Sequence, residues 1–464
     1  MEVNINKVLE ECHTLLERGL AHHAAGQLAD AEQTYRKALS LVPKYDPALH
    51  QLGVLAYQVG NLPVALTLIG RAIEYAPQHA HYWANKALVH AAQGAYREAV
   101  DCCRQALRLK PDFVEVYNNL GVMLTNGGWP KEAEKSLRKA LAMRPNDFEA
   151  RANLGNLLLL QGRYKEAWPE FECRVENRDE RLPAALAAVP KWRGEPLRGQ
   201  RLLLLAERSI GEQILMVRFA ERLSTQGASV DILTSPALTE LFSSVRGVRN
   251  VFSAIPEPAR SFFDFRLPML SLPAQLQVDL GSIPVHMPYI KPNDLEVTRW
   301  EARLQTHGPT TLRVGLAWAD CLVQENKGLP GIRTDDLAQL QSLRQVQFFS
   351  LQKGDAATAL STIDWKIPSL GPYLKTLTDT AAVIANLDLV ITADMVLAHL
   401  AGALGKPVWV LLPTTPEWCW MLERPDCPWY PSARVYRQQV RNSWRPLIDS
   451  VYADLLRLTA RQAA

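Results

Sequence analysis

Along the first part of the chain, small and apolar positions recur at helical spacing inside a longer register. Gly26, Gly60, Gly94, Gly128 and Gly162 are 34 residues apart, and Pro43, Pro77, Pro111 and Pro145 keep the same interval. Ala31, Ala65, Ala99, Ala133 and Ala167 form a third column, and Ala38, Ala72, Ala106 and Ala140 a fourth. A fixed period of this length marks a stacked repeat. Each column has a mechanical role in a pair of helices. The glycine takes the left-handed cap that ends the first helix. The alanines let the second helix approach its neighbours closely, and the proline closes it. The pattern predicts four complete helix pairs. A fifth, from 146 to about 176, keeps Leu154, Gly155, Ala167 and Phe171, but has Arg174 in place of the second alanine and no closing proline.

This pattern, visible in "ALHQLGVLAYQVGNLPVALTLIGRAIEYAP", resembles the tetratricopeptide repeat and covers residues 1–176. Such pairs stack into a solenoid whose inner face is lined by first helices. One column there is polar: Gln51, Asn85, Asn119 and Asn153. Side-chain amides donate to and accept from a peptide backbone whatever its sequence. The same amides also serve simply as a solvated face.

Beyond residue 176 the period changes. Residues 177–198 are charged and then marked by Pro and Gly, which predicts a linker. Continuous apolar runs follow: "RLLLLAE", "VDILT" and "FDFRL" first, then "LRVGLAWA", "VQFFSLQ", "LDLVITA" and "PVWVLL". Alternating with amphipathic segments, they predict parallel sheets covered on both faces. Two Rossmann-type α/β lobes are expected, over 199–309 and 310–464, divided by a charged helical stretch near 294–307. Ligands of such folds bind at the carboxyl ends of the strands. The amphipathic stretch Trp444–Gln462 is expected to pack back across the first lobe.

Composition narrows the function. At 464 residues, 48% apolar and 21% charged, the chain is expected to be folded, soluble and multi-domain. A net charge of +3 and the lack of a basic run argue against nucleic acid as a partner. The amino-terminal stretch has charges throughout and does not read as a signal peptide. The most apolar region, 387–412, is broken by Asp388, Asp394, His399 and Lys406, which argues against a membrane span. Seven cysteines without a C-x-x-C pair suggest reduced thiols in a cytoplasm, with Cys102 and Cys103 packed as small apolar groups. No metal site and no cofactor are expected.

Two turns carry candidate chemistry. In "AERSIGEQI" a strand meets a helix at Gly211, with Glu212 in the first helical turn. In "ITADMVLAHLAGALGKPVWVLLP" a strand ends at Ala393, Asp394 sits where an N-cap belongs, and His399 lies within two turns. Helix N-termini suit phosphates and carboxylates. On local grounds, Glu212 reads equally as a carboxylate that stabilises its own helix.

The segments "ERSIGEQILMVRFA", "FDFRLPMLSLP", "FFSLQKGD", "DTAAVIANLDLVITADMVLAHLAGALGKPVWVLLP" and "PWYPSARVYRQ" occur in order from about Trp192 to Gln438. They resemble bacterial proteins that join tetratricopeptide repeats to a heptosyltransferase-like domain of the GT-B architecture. The polar column is similar to the asparagine ladder of O-linked N-acetylglucosamine transferases, which clamps an extended polypeptide. The resemblance implies a metal-independent, inverting glycosyltransferase, with a nucleotide-sugar donor and a protein acceptor such as flagellin. It implies Glu212 as the base, standing where the family has aspartate, with Ser209 at the family's first glycine. It implies donor contacts by Gly211, Arg333, Gln352, Lys353, Asp394, Met395 and His399, with Met395 replacing a threonine. By the same token Gln51, Asn85, Asn119 and Asn153 would hold the acceptor peptide. Two alternatives stand beside this: a lipopolysaccharide or glycan acceptor, and a non-catalytic scaffold with a degenerate transferase domain.

Overall fold

A computed structural model describes residues 2–176, 182–305, 312–319, 331–363 and 365–463. It divides into two compact units, Met1–Leu154 and Gly155–Ala464.

The first unit is a helical-repeat solenoid. Its helices pair as Glu2–Ala24 with Leu28–Leu41, Asp46–Gln58 with Leu62–Tyr75, Ala80–Ala92 with Tyr96–Leu109, and Val114–Asn126 with Pro130–Met143. The columns act as their chemistry requires. Gly60 has φ +81°, its N–H bonds Tyr57 O, and Asn61 N reaches back to Ala56 O at 2.8 Å. That double closure satisfies carbonyls left open at a helix end. Gln27, Ala95 and Trp129 repeat the longer bond to His22, His90 and Leu124. Pro43, Pro77, Pro111 and Pro145 each stand one residue beyond a second helix's C-cap. The alanines of both columns in these pairs are fully buried.

A further column emerges from the packing. A methyl group placed on Gly19, Gly53 or Gly121 would lie 2.4 Å from Tyr35, 2.6 Å from Ile69 and 2.5 Å from Leu137 respectively. Each glycine of a first helix thus receives a bulky side chain of its partner. In the third pair the register puts Ala87 and Cys103 at these positions, and both are buried. That accounts for Cys103 as a packing residue.

The second unit holds two parallel sheets with helices, an α/β architecture. β1 (Arg201–Leu205), β2 (Ser229–Leu233), β3 (Val248–Phe252) and β4 (Phe265–Pro268) are ordered β3-β2-β1-β4. β5 (Leu312–Ala317), β6 (Val346–Ser350), β7 (Leu389–Ala393), β8 (Val408–Leu412) and β9 (Ala433–Arg437) are ordered β6-β5-β7-β8-β9. Every pairing is parallel. The seven apolar runs all became strands. β3 and β9 escaped the pattern because exposed Arg249 and Asn250 in the one, and exposed Arg434 in the other, interrupt their apolar runs.

Two expectations about the seams need correction. The repeat packing expected to residue 176 continues into the fifth pair, where a Cβ on Gly155 would stand 2.8 Å from Phe171 N, while the second compact unit begins at Gly155 and its residues also bond to the α/β elements. Trp168 Nε1 donates to Val278 O at 2.8 Å, and Trp429 Nε1 donates to the Tyr164 hydroxyl at 2.7 Å. The expected linker is partly an integral edge of the first sheet; its residues 177–181 lie outside the described ones. Leu186 and Val189 join Leu203, Leu205 and Phe263 in a core cluster. Lys191 bridges to Arg266 in parallel, and Arg266 Nε donates to Leu186 O and Val189 O. The terminal helix, Arg445–Ala463, covers the second lobe and not the first. Its Leu447, Ile448, Val451 and Leu455 pack with Leu312, Leu316, Trp409 and Tyr436.

Two glycine substitutions test the repeat packing. Gly121→Ala drives a methyl group against Leu137 and should cost about 1–3 kcal/mol. Gly70→Ala, on a helical position with nothing within 4 Å, should stabilise by about 0.5–1 kcal/mol. Thermal melts of the two variants should move in opposite directions.

Candidate functional site

The two turns singled out by sequence meet. β1 leads through Glu207, Arg208 and Ser209 into the Ile210–Met216 helix, and β7 leads through Asp394 and Met395 into Val396–Ala403. The two helices pack together, and Gly211 is where they touch. A Cβ on Gly211 would stand 2.5 Å from His399 Cδ2 and 2.9 Å from Nε2. The missing side chain is what admits the imidazole.

Glu212 lies next to that contact and is 8% exposed. Its Oε2 accepts from Ser209 N at 3.3 Å and Ser209 Oγ at 3.1 Å, while its own N–H donates to Ser209 Oγ. This is a capping box, which closes the start of the helix. Arg208 Nε stands 3.3 Å from Oε2. Oε1 accepts from Trp418 Nε1 at 3.4 Å, a long and weak bond.

Asp394 is not the cap expected of it. Met395 occupies the N-cap position, without a side-chain cap bond. Asp394 instead accepts from Trp420 Nε1 at 2.6 Å and Glu417 N at 3.1 Å, pinning the segment after β8. The indoles of Trp418 and Trp420, two residues apart, thus reach the carboxylates of both turns.

His399 is a buried neutral imidazole. Its Nδ1 lies 3.1 Å from the Tyr430 hydroxyl, and its ring stands 5.3 Å from that of Trp420. Burial and then the Arg218 guanidinium push its pKa down to about 3. Arg218, in the turn between the Ile210–Met216 and Phe219–Thr225 helices, escaped sequence reading because a lone arginine in an apolar stretch carries no motif. It is buried, donates to the carbonyls of Leu215, Pro284 and Trp429 and to the Tyr289 hydroxyl, and lies over three aromatic rings.

The remaining candidates are dispersed. Gln352 is buried at the end of β6, and its Oε1 accepts from Trp318 N and Ala319 N at 3.0 Å each. Its Nε2 donates to Ala319 O, so the amide stitches two strand ends together and is not free for a donor. Lys353 follows it, half-buried. Arg333 caps the short Thr334–Leu337 helix, with its side chain 73% exposed. It lines a cavity of about 290 Å³ together with Gly331, Asp336, Asn442, Ser443, Trp444 and Arg445. In the solenoid, Asn85 Nδ2 lies 2.8 Å from His50 Nε2, and Asn153 Nδ2 donates to Asn118 Oδ1 at 2.9 Å. Part of the amide column therefore links successive repeats. Among the described residues no cluster of His, Cys, Asp and Glu could hold a metal, and no helix is long and apolar enough to cross a membrane.

An ion-pair network lies below the first turn. Arg174, the residue that broke the repeat, donates through Nη2 to Glu207 Oε1 and Ser271 Oγ at 3.0 Å, and through Nη1 to Glu172. Glu207 also accepts from Leu270 N at 3.2 Å.

Comparison with known proteins bears on the repeats most directly. Tetratricopeptide-repeat profiles match residues 13–45, 50–114 and 127–167. Protein FlbA of Caulobacter vibrioides is 25% identical over 312 residues, covering 62% of this chain and 52% of that protein. Tetratricopeptide repeat protein 7A of Homo sapiens is 31% identical over 96 residues, covering 21% of this chain and 11% of that protein. This chain therefore spans about half the length of the first relative and far less of the second. Among solved structures, "Crystal structure of MamA" matches at 19% identity and a TM-score of 0.32, covering 35% of this chain and 95% of that one. "Crystal structure of APC/C hetero-tetramer Cut9-Hcn1" matches at 22% identity and a TM-score of 0.31, covering 32% of this chain and 30% of that one. Scores this low describe a partial likeness and bear on neither activity nor partners.

Two outcomes follow for stability. Arg174→Met removes the cation paired with Glu207, whose side chain is 3% exposed, and should cost about 3–5 kcal/mol in urea unfolding. Adding Glu207→Gln should recover part of that loss. Because His399 binds its proton more weakly folded than unfolded, its contribution is present above pH 6.5 and is lost as pH falls toward about 3. His399→Gln should flatten this slope by roughly 1.4 kcal/mol per pH unit, read from urea midpoints across that range.

Proposed function

We propose that the chain is a glycosyltransferase that moves a sugar from a nucleotide-sugar donor to a polypeptide held by the repeats, a flagellin or another bacterial surface protein being the acceptor class. The observation that carries this reading is the meeting of the β1 and β7 turns at the Gly211–His399 contact. Strand carboxyl ends from two parallel sheets then border one site, where α/β folds bind ligands. The ordered resemblance from Trp192 to Gln438 supplies the reaction class.

In this reading the capping box holds Glu212 by one oxygen and leaves Oε1 under only the long Trp418 bond. Oε1 takes the proton from the acceptor hydroxyl. The hydroxyl oxygen attacks the anomeric carbon as the bond to the donor diphosphate breaks, with inversion. The N–H groups opening the Val396–Ala403 helix stabilise the departing negative charge. Gln51, Asn85, Asn119 and Asn153 grip the acceptor backbone with the hydrogen-bonding groups not spent between repeats. The reaction is placed in the cytoplasm, where nucleotide sugars are available.

A second reading, a scaffold with a vestigial transferase unit, draws on the burial of Glu212 and on the neutral, packed state of His399.

The test is transfer and nucleotide binding by the full chain across a panel of nucleotide sugars and candidate polypeptides. Glu212→Gln should lower kcat by about 10²–10⁴-fold while leaving nucleotide affinity unchanged. Replacing Asn85, Asn119 and Asn153 together by alanine should raise KM for the polypeptide and not for the donor. A chain that neither binds a nucleotide nor transfers or hydrolyses any sugar is the scaffold.

A further inference from the structure

The first turn holds an arginine in a backbone conformation that suits glycine. Arg208 has φ +57°, in the left-handed region. Glycine adopts it freely, whereas a residue with a Cβ stays there only where its surroundings hold it. Both neighbours are tied down. Glu207 accepts from Arg174 Nη2 and Leu270 N, and Ser209 N donates to Glu212 Oε2. The carbonyl of Arg208 accepts from Gln213 Nε2 at 3.4 Å. Gln213 is itself buried, and its Oε1 accepts from Thr234 Oγ1 at 2.9 Å.

The side chain shows what the strained turn achieves. Arg208 Nε stands 3.3 Å from Glu212 Oε2, and the guanidinium lies 5.8 Å from the centre of the Phe171 ring. Arg208 precedes the N-cap of the Ile210–Met216 helix, so helical spacing does not supply this approach. The left-handed turn does. As a device for stability the pair would be a poor one. Its arginine side chain is 40% exposed, ion pairs in contact with water contribute little, and the backbone strain opposes them.

The two oxygens of Glu212 are served unequally. Oε2 already accepts from Ser209 N at 3.3 Å and Ser209 Oγ at 3.1 Å, which completes the capping box. Arg208 brings a charged donor to that same oxygen and not to Oε1, whose contact with Trp418 Nε1 is 3.4 Å long. Three donors on one oxygen against one long contact on the other fix which is held and which is presented.

We propose that Arg208 is a positioning residue for proton transfer: it clamps Oε2 of Glu212, so that Oε1 stays turned toward the incoming hydroxyl. The left-handed backbone is the strain that this clamp requires, and Gln213 and the fixed neighbours of Arg208 hold it. This role rests on the reading of Glu212 as the base and adds the residue that orients it.

Transfer kinetics, thermal melts and the indole N–H resonance of Trp418 test it in the full chain, the resonance being assigned by its loss in Trp418→Phe. Arg208→Gly removes the cation and accepts the left-handed turn without strain. It should raise the thermal midpoint, shift the Trp418 resonance and lower kcat about tenfold, with KM for donor and polypeptide unchanged. Arg208→Lys keeps both charge and strain. It should restore part of kcat and move the resonance back toward its wild-type position. If Arg208→Gly lowers the thermal midpoint together with kcat, the arginine only braces the turn and the inference is overturned. Wild-type kcat in Arg208→Gly also overturns it and leaves the transferase reading intact. A wild-type chain that transfers nothing loses that reading, and the resonance then decides: a shift in Arg208→Gly, reversed by lysine, supports the clamp on Glu212, and an unmoved resonance overturns it.

Discussion

The α/β unit is organised around a missing side chain. Because Gly211 carries no Cβ, the His399 ring enters the space between two helices that descend from different sheets. The same device recurs one layer deeper. A Cβ on Gly402 would stand 2.3 Å from the Tyr430 ring, and the Tyr430 hydroxyl lies 3.1 Å from His399 Nδ1. Two glycines thus admit two rings packed edge to face, and the rings set how closely the β1 and β7 turns approach. In a close-packed interior, added volume at such a point cannot be absorbed locally. The positions of Glu212, Asp394 and the tryptophans between them all follow from this contact.

Beneath the rings sits a charge that burial should disfavour. Arg218 has no carboxylate partner among the described residues, yet its guanidinium is met by three carbonyls, a tyrosine hydroxyl and aromatic faces. Carbonyl dipoles and ring quadrupoles stand in for a counter-ion here. A counter-ion would have offset its effect on His399; without one, desolvation and this cation act in the same direction and keep the imidazole neutral. The interface is therefore a buried, aromatic seam in which the indoles of Trp418 and Trp420 donate to the carboxylates of both turns. For the reaction proposed, this means a carboxylate held in place beforehand, without reorganisation at the moment of proton transfer.

The break in the repeat register has a physical cause in the same unit. Tyr164 and Trp168 are still repeat-like in spacing, but their polar atoms are satisfied by Trp429 and Val278. Arg174 replaces a small residue because its position no longer faces another helix pair; it faces Glu207 beside the first turn. The helix of a fifth repeat has become a supporting wall of the α/β unit. That wall also carries an ion pair which, once buried, requires both of its members.

What the sequence determined by itself was everything set by local, repeated solutions. The glycine, proline and alanine columns were readable because each repeat solves the same capping and close-approach problem within 34 residues. The interior strands were readable because a strand buried on both faces must be apolar throughout. Only the tertiary structure decided the rest. β3 and β9 are half-solvated edges whose pattern is ambiguous. Asp394 was readable as a cap, yet its oxygens are taken by residues 23 and 26 positions away. The amide of Gln352 looked free until Trp318 and Ala319 closed on it. The allegiance of residues 155–176 rests on a partner 265 positions along the chain. Hydrogen-bonding capacity is a property of a residue, whereas the partner that spends it is chosen by packing between segments that carry no mark of one another.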